Sequence, residues 1–246
     1  MMYIEHAPPA DLAQILDCFW HARVGQETQH ILPDGCQDWI FRYDSSMSAS
    51  VIGSMSQAQK LQCVEPSLFF GIRFQPGALS LFSTMPMSHI TDQSIALYDA
   101  FAVSSATQQA LAVDNLAIHE FASIMSQALR QKMAAVDRDR LALIQQLRRT
   151  REGQIQHMAH SLHISRRQLQ RLFQNHFGYS PRFYAKVMRF TQLISHLDPA
   201  KPLVQTALDL GYYDQAHMGR EIKQLSGLTP SQLIQHAVPN IQSTTY

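Results

Sequence analysis

Arginine and glutamine side chains recur at helical spacing in one short run toward the C-terminal end of the chain. Gln170, Arg171 and Gln174 follow Arg167 at positions i+3, i+4 and i+7, so in an α-helix all four share one face. Arginine and glutamine carry paired hydrogen-bonding groups that match the edges of guanine and adenine in the major groove of DNA, which admits one α-helix. The opposite face of the run is apolar, with Leu169, Leu172 and Phe173. The run therefore predicts a helix that could contact DNA bases.

This run belongs to a repeat whose two copies are offset by 49 residues. Equivalent positions carry similar chemistry: Ile155 matches Val204, Leu169 matches Met218, Arg171 matches Arg220, Phe173 matches Ile222, Gly178 matches Gly227, Ser180 matches Thr229 and Pro181 matches Pro230. The outward positions of the second copy are Gln215, Ala216, His217, Arg220 and Lys223. Self-similarity of this kind indicates one structural unit used twice.

Each copy has the start and stop signals of a helix-turn-helix unit. In the first, a short apolar-striped helix (Ile155, Met158, Ala159, Leu162) leads to a turn at His163-Ile164, an N-cap at Ser165 and a helix end at Gly178. In the second, Gly211 marks the turn and Asp214 the N-cap, and the apolar residues of the two helices are Leu203, Ala207, Leu210, Met218, Ile222 and Leu225. A helix from Pro181 to Leu197 separates the copies and could place them near one DNA turn apart, about 34 Å. A plain helical bundle with polar outer faces is the alternative.

Charge divides the chain near Val136. Residues 1–136 carry 6 lysines and arginines against 12 aspartates and glutamates, whereas residues 137–246 carry 14 against 7. A basic excess favours a polyanion such as nucleic acid, although an ordinary solvated basic surface has the same composition.

The N-terminal half has the alternation and turn residues of short strands. Strands are predicted at 37–43, 49–53, 61–64 and 68–74, with turns at Pro33-Asp34-Gly35 and Pro76-Gly77. A stripe of apolar residues predicts a helix over 116–133 that either joins two domains, pairs two subunits or covers the sheet. The fold class is therefore α+β: a small cupin-like barrel or sheet with covering helices over 1–100, a helical connection over 101–136, and an all-α domain of two helix-turn-helix units over 137–246.

The C-terminal third resembles the DNA-binding domain of the AraC/XylS family of bacterial transcription regulators, in which two helix-turn-helix units are joined by one long helix. The matching text includes Ser165-Arg166-Arg167-Gln168-Leu169-Gln170-Arg171-Leu172-Phe173, Gly178-Tyr179-Ser180-Pro181, Arg189-Phe190 and Gly211-Tyr212-Tyr213-Asp214. The resemblance implies base contacts from Arg167, Gln170, Arg171, Gln215, Ala216, His217 and Arg220, and a phosphate contact from Arg166. His163 departs from the glycine usual in the first turn, and Met218 and Ile222 replace the usual aromatic residues.

The N-terminal half is similar to a small sensor-type domain found ahead of this module in part of the family. The similarity lies in residues 31–38 and 71–78. The C-terminal resemblance implies double-stranded DNA as the main partner. For the N-terminal half, a small-molecule effector, a second copy of the chain and RNA polymerase are the alternative partners. Asp34, Asp38 and Arg73 either line an effector pocket or tie the turns together.

Other chemistry has weaker signals. A cupin-like catalytic or metal-binding N-terminal domain is the alternative function, but the paired histidine spacing of such a site is absent, and His21, His30, Asp34 and Asp38 are more typical of ordinary sheet residues. His157, His160 and His163 do not all share one helix face. Cys18, Cys36 and Cys63 form no CxxC pair, so we expect reduced thiols rather than a disulfide framework. Because no catalytic or metal-ligand constellation is evident, we expect no cofactor, no metal and no enzymatic activity. Because neither an export signal nor a long apolar window is present, we expect no membrane partner and a cytoplasmic location.

Overall fold

The computed structural model describes residues 2–25, 28–44, 46–63, 66–113, 116–197, 208, 210–212 and 214–234. The strands are β1 Met2–His6, β2 Leu16–Val24, β3 Gln29–Ile31, β4 Gln37–Tyr43, β5 Met47–Ile52, β6 Gln59–Leu61, β7 Ser67–Phe74 and β8 Ser94–Ala96. The helices are α1 Leu97–Ala100, α2 Ser105–Leu111, α3 Ile118–Met133, α4 Arg138–Arg148, α5 Ile155–Ser161, α6 Arg166–Phe177, α7 Pro181–Ser195 and α8 Gln215–Ser226. This arrangement confirms the α+β class.

Six strands form one antiparallel sheet in the order β1-β2-β7-β4-β5-β8, and β3 pairs with β6 in a separate two-stranded sheet. Of the two predicted forms, barrel or sheet, the described residues therefore adopt the open sheet. The strands predicted at 37–43, 49–53 and 68–74 are present within a few residues. The strand predicted at 61–64 lies earlier, at Gln59–Leu61, where it pairs with β3, and Val64 falls outside the described residues.

Both faces of the sheet are covered, which explains why β2 lacks alternation. Phe121 of α3 contacts Phe19, Phe41 and Phe70 on one face, with ring centroids 5.2–6.3 Å apart. Helix α3 therefore covers the sheet, the third of its predicted roles. On the other face Trp20 lies over Gly71, where a side chain would place its Cβ about 2.0 Å from the indole ring. Gly71 is thus required by the close approach of Trp20.

The two halves of the chain share one hydrophobic core. Two short 3₁₀ helices, Ala78–Phe82 and Met87–His89, lie between β7 and β8 and pack against α6. Buried residues of the sheet and of α4, α6, α7 and α8 belong to the same continuous cluster. The sheet and the C-terminal helices are therefore held in direct contact.

Candidate nucleic-acid interface

The first helix-turn-helix unit consists of α5, a turn and α6. His163 in the turn adopts a left-handed conformation with φ 53°. Ser165 caps α6 through a capping box, since its Oγ accepts a hydrogen bond from Gln168 N and its backbone N donates to Gln168 Oε1 at 2.8 Å. Gly178 ends the helix with φ 79°. These local signals place α6 where the sequence predicts it.

Helix α6 separates its apolar and polar residues onto opposite faces. Leu169, Phe173 and Phe177 are buried, and Phe173 and Phe177 contact Tyr184 of α7. The outward face is exposed and carries the predicted side chains Arg166, Arg167, Gln170, Arg171 and Gln174. Within the described part of the chain, none of its three arginines lies within ion-pair distance of a carboxylate. The guanidinium groups are therefore available to an external anion.

A shallow depression of about 370 Å³ follows this polar face. It is lined by Ser165, Arg167, Gln168, Gln170, Arg171 and Gln174. Its walls offer hydrogen-bond donors and acceptors at the spacing of a single helix face. Such a face can enter the major groove of B-DNA.

Of the second copy, 49 residues later, the structure describes the second helix, α8, and part of the turn before it. Helix α8 has the same 12-residue length as α6, begins after an N-cap at Asp214 and ends at Gly227 with φ 73°. Met218, Ile222 and Leu225 are buried, as predicted. Leu203 and Ala207, predicted to lie in the supporting helix, and Val204, the repeat partner of Ile155, are outside the described residues.

The outward residues of α8 are not all equally accessible. Gln215, Ala216, Arg220 and Lys223 are exposed, but His217 is half-buried. Its ring meets Tyr212 edge-on with centroids 5.7 Å apart, and its Nε2 lies 3.9 Å from Glu221 Oε2. His217 is therefore already engaged within the protein by described neighbours.

A buried ion-pair network joins α7 to α8. Arg189 donates to both carboxylate oxygens of Glu221, at 3.1 and 2.6 Å, and to Glu152 at 2.5 Å. Its guanidinium also lies 4.6 Å from the centre of the Tyr212 ring. Glu221 is only 3% exposed, and the ion pairs with its carboxylate raise the pKa of Arg189 against the effect of burial. The network fixes α8 against the long helix between the two units.

Sequence reasoning missed the basic residues of α7. Arg182 and Lys186 line a depression of about 410 Å³ together with Arg220 and Gln224 of α8. Arg182 is 83% exposed, and Lys186 Nζ donates to Gln224 Oε1 at 2.9 Å. The i, i+4 spacing of Arg182 and Lys186 was the signal that could have identified them.

The three polar residues predicted in the N-terminal half lie together on the sheet. Arg73 Nε is 3.4 Å from Asp34 and 3.7 Å from Asp38, and Arg73 Nη1 is 3.0 Å from Glu5. Asp38 also accepts a hydrogen bond from Trp20 Nε1 at 2.8 Å. Burial raises the pKa of Asp38 to about 6, although Arg73 opposes this shift. This arrangement ties the turn at Gly35 to the sheet.

Burial also raises the pKa of the Cys18 and Cys36 thiols, which disfavours the reactive thiolate form. All three cysteines are free. Among the described residues, no group of three histidine, cysteine, aspartate or glutamate side chains is arranged to hold a metal ion. No helix within the described ranges combines the length and apolar character needed to cross a bilayer.

A helix-turn-helix unit over α5 and α6, followed by a second exposed basic helix, α8, is the geometry of a helix-turn-helix domain. Residues 158–236 match the family of helix-turn-helix domains, and residues 4–96 match a family described as a domain of unknown function, DUF6597. The C-terminal part of the chain therefore carries a helix-turn-helix domain, the kind of domain found in DNA-binding transcription regulators. No curated protein is significantly similar to it in sequence.

The fold is similar to solved structures of ToxT from Vibrio cholerae. One of them is 13% identical, with a TM-score of 0.50, and the match covers 89% of this chain and 98% of ToxT. Another, ToxT bound to (E)-4-(8-methylnaphthalen-1-yl)but-3-enoic acid, is 13% identical with a TM-score of 0.48 over 88% of this chain and 97% of that one. At this level of identity the likeness is one of fold.

Proposed function

We propose that this regulator binds a specific DNA site by placing α6 and α8 in two successive segments of the major groove. The observation that carries the proposal is the repetition of one exposed basic helix at an interval of 49 residues. Both helices have the same length, the same type of N-cap and a glycine end. We refer to α6 and α8 as the first and second recognition helices.

The outward side chains of α6, α7 and α8 divide within this proposal into those that contact bases and those that contact the DNA backbone. Arg167, Gln170, Arg171, Gln215, Ala216, His217 and Arg220 contact base edges, whereas Arg166, Gln174 and Lys223 support binding from the same faces. Arg182 and Lys186 of α7 contact the phosphates beside the second recognition helix, because lysine and arginine beside a recognition helix suit backbone contacts. Residues 137–246 act as the DNA-binding domain, and 101–136 as the helical connection.

For residues 1–100 we propose sensing of a small effector. A cavity of about 360 Å³ lies between α2, α3 and the sheet, lined by residues that include Trp39, Val103, Met125, Leu129 and Lys132. Its apolar walls with one cation at the rim are typical of ligand pockets, whose volumes start near 300 Å³. The polar cluster of Arg73 with Asp34 and Asp38 is the second candidate site for the effector. Dimerisation and a polymerase contact remain further proposals for this half.

The function is tested by titrating the full chain against a pool of genomic fragments and a random duplex at several salt concentrations. We expect selection of particular fragments, a footprint of about 20 base pairs and affinity that falls steeply as salt rises. Uniform weak binding to every fragment would contradict the proposal.

Substitutions then separate base contacts from phosphate contacts. Arg171→Ala and Arg220→Ala should each weaken binding to a selected fragment by roughly 1–3 kcal/mol, with a smaller loss on random DNA. Arg182→Ala should weaken binding to both duplexes equally. Arg23→Ala, on the exposed side of β2, is the matched control and should leave binding unchanged. Equal losses on both duplexes for Arg171→Ala would refute its base contact.

A further inference from the structure

One loop of the N-terminal half contacts the C-terminal ends of both recognition helices. Residues 53–58, which connect β5 to β6, are called the bridging loop here. Ser54 Oγ donates to the carbonyl of Phe177 at 2.8 Å, and Met55 O accepts from the Tyr179 hydroxyl at 2.5 Å. At its other end Ala58 N donates to the carbonyl of Leu225 at 2.7 Å. The loop thus spans from the end of α6 to the end of α8.

These contacts satisfy groups that a helix end leaves without partners. The last carbonyls of an α-helix have no intrahelical donor and must bond to something else. Phe177 is the last residue of α6 and Leu225 the next-to-last residue of α8, and the C-caps of both helices are glycine. Thr91 adds a further bond from the N-terminal half, donating to the carbonyl of Gly178 at 3.1 Å. The N-terminal half therefore supplies part of the cap of each recognition helix.

The bridging loop is itself firmly held by β4 of the sheet and by the turn that precedes β8. Ser54 is 1% exposed, and its Oγ accepts from Gln37 Nε2 of β4 at 2.5 Å. The carboxylate of Asp92 accepts from the backbone N and the hydroxyl of Ser56, both at 2.6 Å. A Cβ at Gly53 would lie about 1.7 Å from the carbonyl oxygen of Ile90, so the backbones meet there with no room for a side chain. A loop fixed in this way can transmit position from the sheet to the helices.

A second tie between the units lies away from the loop. Arg189 and Glu221 join α7 to α8 by two hydrogen bonds, at 3.1 and 2.6 Å. The bridging loop contacts the C-terminal ends of both recognition helices. The relative placement of the two helices is therefore constrained in two ways, through α7 and through the N-terminal half. Two helices that occupy successive segments of the major groove must match the spacing and phase of the DNA. If one of the helices is displaced, contacts at its half of the site are lost.

We propose that the bridging loop sets the separation of the two recognition helices, so that Ser54 and Ala58 are positioning residues for recognition of a two-part DNA site. The inference rests on the proposed function, since it concerns the same two helices. It gives the N-terminal half a role in DNA recognition that needs no direct contact with DNA. Any event that shifts β4 or β5 would then also shift both recognition helices, because the bridging loop contacts both of them.

A distance measurement in the absence of DNA tests the placement directly. Nitroxide labels at Gln174→Cys and Lys223→Cys, both exposed positions, report the separation of the helices in the full chain carrying Cys36→Ser. We expect one narrow distance distribution. Tyr179→Phe and Ser54→Ala each remove a hydroxyl donor between the bridging loop and the end of α6, and should broaden or shift the distance distribution. Ala58→Pro removes the N–H that donates to Leu225 of α8, and should also broaden or shift the distribution.

The control is Ser83→Ala, a buried serine whose Oγ bonds within its own turn to Met85 O at 3.1 Å. It should leave the distribution unchanged. If Ser54→Ala fails to fold by circular dichroism, Tyr179→Phe decides, because it keeps the ring and removes only the hydroxyl. An unchanged distribution in folded Tyr179→Phe and Ala58→Pro would overturn the inference whether or not the protein selects a DNA site.

DNA binding supplies the second readout. Against the fragment that the unsubstituted chain selects, the loop variants should lose about tenfold in affinity, while binding to duplexes with either half scrambled stays the same. They should also tolerate a base pair inserted between the halves better than the unsubstituted chain does. Equal losses on full and half sites would mean a general loss of stability and would refute the positioning role. Failure to select any fragment would refute the proposed function but leave the distance result standing.

Discussion

The turn between α5 and α6 holds a histidine in a backbone conformation that glycine adopts at lower cost. His163 is exposed and has φ 53°, a region that costs an ordinary residue roughly 1–2 kcal/mol. The sequence locates the turn, because His163 falls between two predicted helices, even though the residue is not glycine. The structure shows that the chain keeps this turn and places His163 in the strained left-handed conformation.

Replacement of this histidine should therefore stabilise the protein. We expect His163→Gly to raise the free energy of unfolding by about 0.5–1 kcal/mol, since relief of the left-handed strain exceeds the entropy that glycine adds to the unfolded chain. Urea denaturation measures it. His157→Gly, within α5, is the control and should lower stability by about 0.5–1 kcal/mol. Losses of the same size in both variants would contradict a strained turn at His163.

At the scale of elements, prediction succeeded where the signals are local. Both recognition helices begin and end at the residues that capping side chains and glycines indicate, because each cap is a contact within a few residues of sequence. Strand β2 was not predicted, since its residues Cys18, Phe19 and Trp20 are all buried and give no alternation. Edge strand β1, only five residues long, has too little apolar pattern to be distinguished from a loop.

Contacts between distant elements were beyond sequence reasoning. The exposed face of α6 was predicted in full, but the half-burial of His217 depends on Tyr212 and Glu221, whose side chains meet it only after folding. Likewise, the pairing of Arg189 with Glu221 joins residues 32 positions apart. Periodicity identifies which face of a helix is apolar, but it does not identify which charged residue on that helix is buried against a neighbour.

The Arg189–Glu221 pair gives a prediction for the joint between α7 and α8. Arg189→Met should lower the free energy of unfolding by about 3–5 kcal/mol, because it leaves the Glu221 carboxylate buried without its partner. Combining it with Glu221→Leu should recover most of that loss, since no buried charge then remains. Thermal or urea denaturation of the single and double variants tests this. Arg182→Met, at an exposed arginine 3.9 Å from Glu152, is the control and should change stability by less than about 0.5 kcal/mol. Losses that simply add in the double variant would show that the pair is not coupled.

At the scale of the whole molecule, the joint between the halves is both apolar and polar. Arg148 Nε donates to the carbonyl of Pro76 at 3.0 Å, and Arg140 donates to that of Ser80 at 2.5 Å. Beside them, Ser80 Oγ lies 2.8 Å from Nδ1 of His176, a buried histidine of α6. The charge division near Val136 gives no sign of this joint, because neutral backbone carbonyls and apolar side chains make most of it. The acidic and the basic half of the sequence are thus in direct contact in the fold.

His176 makes this joint sensitive to acid. Burial, and then the nearby Arg140 guanidinium, lower the pKa of His176 to about 4, whereas an unfolded histidine titrates near 6.5. The unfolded chain therefore binds a proton at this residue between about pH 6.5 and pH 4 when the folded chain does not. Stability from this group is complete above pH 6.5 and is lost as the pH falls toward 4. At pH 5 the loss should be about 2 kcal/mol relative to pH 7.5.

Urea denaturation at pH 7.5 and pH 5 of the unsubstituted chain and of His176→Gln measures this contribution. The variant cannot take up the proton, so its difference between the two pH values should be smaller than that of the unsubstituted chain by about 2 kcal/mol. His119→Gln removes an exposed histidine of α3 and should keep the full difference. If all three proteins lose the same stability on acidification, His176 does not hold the halves together in its neutral form. If only His176→Gln is insensitive, acid weakens the molecule at the contact between the sheet and the first recognition helix.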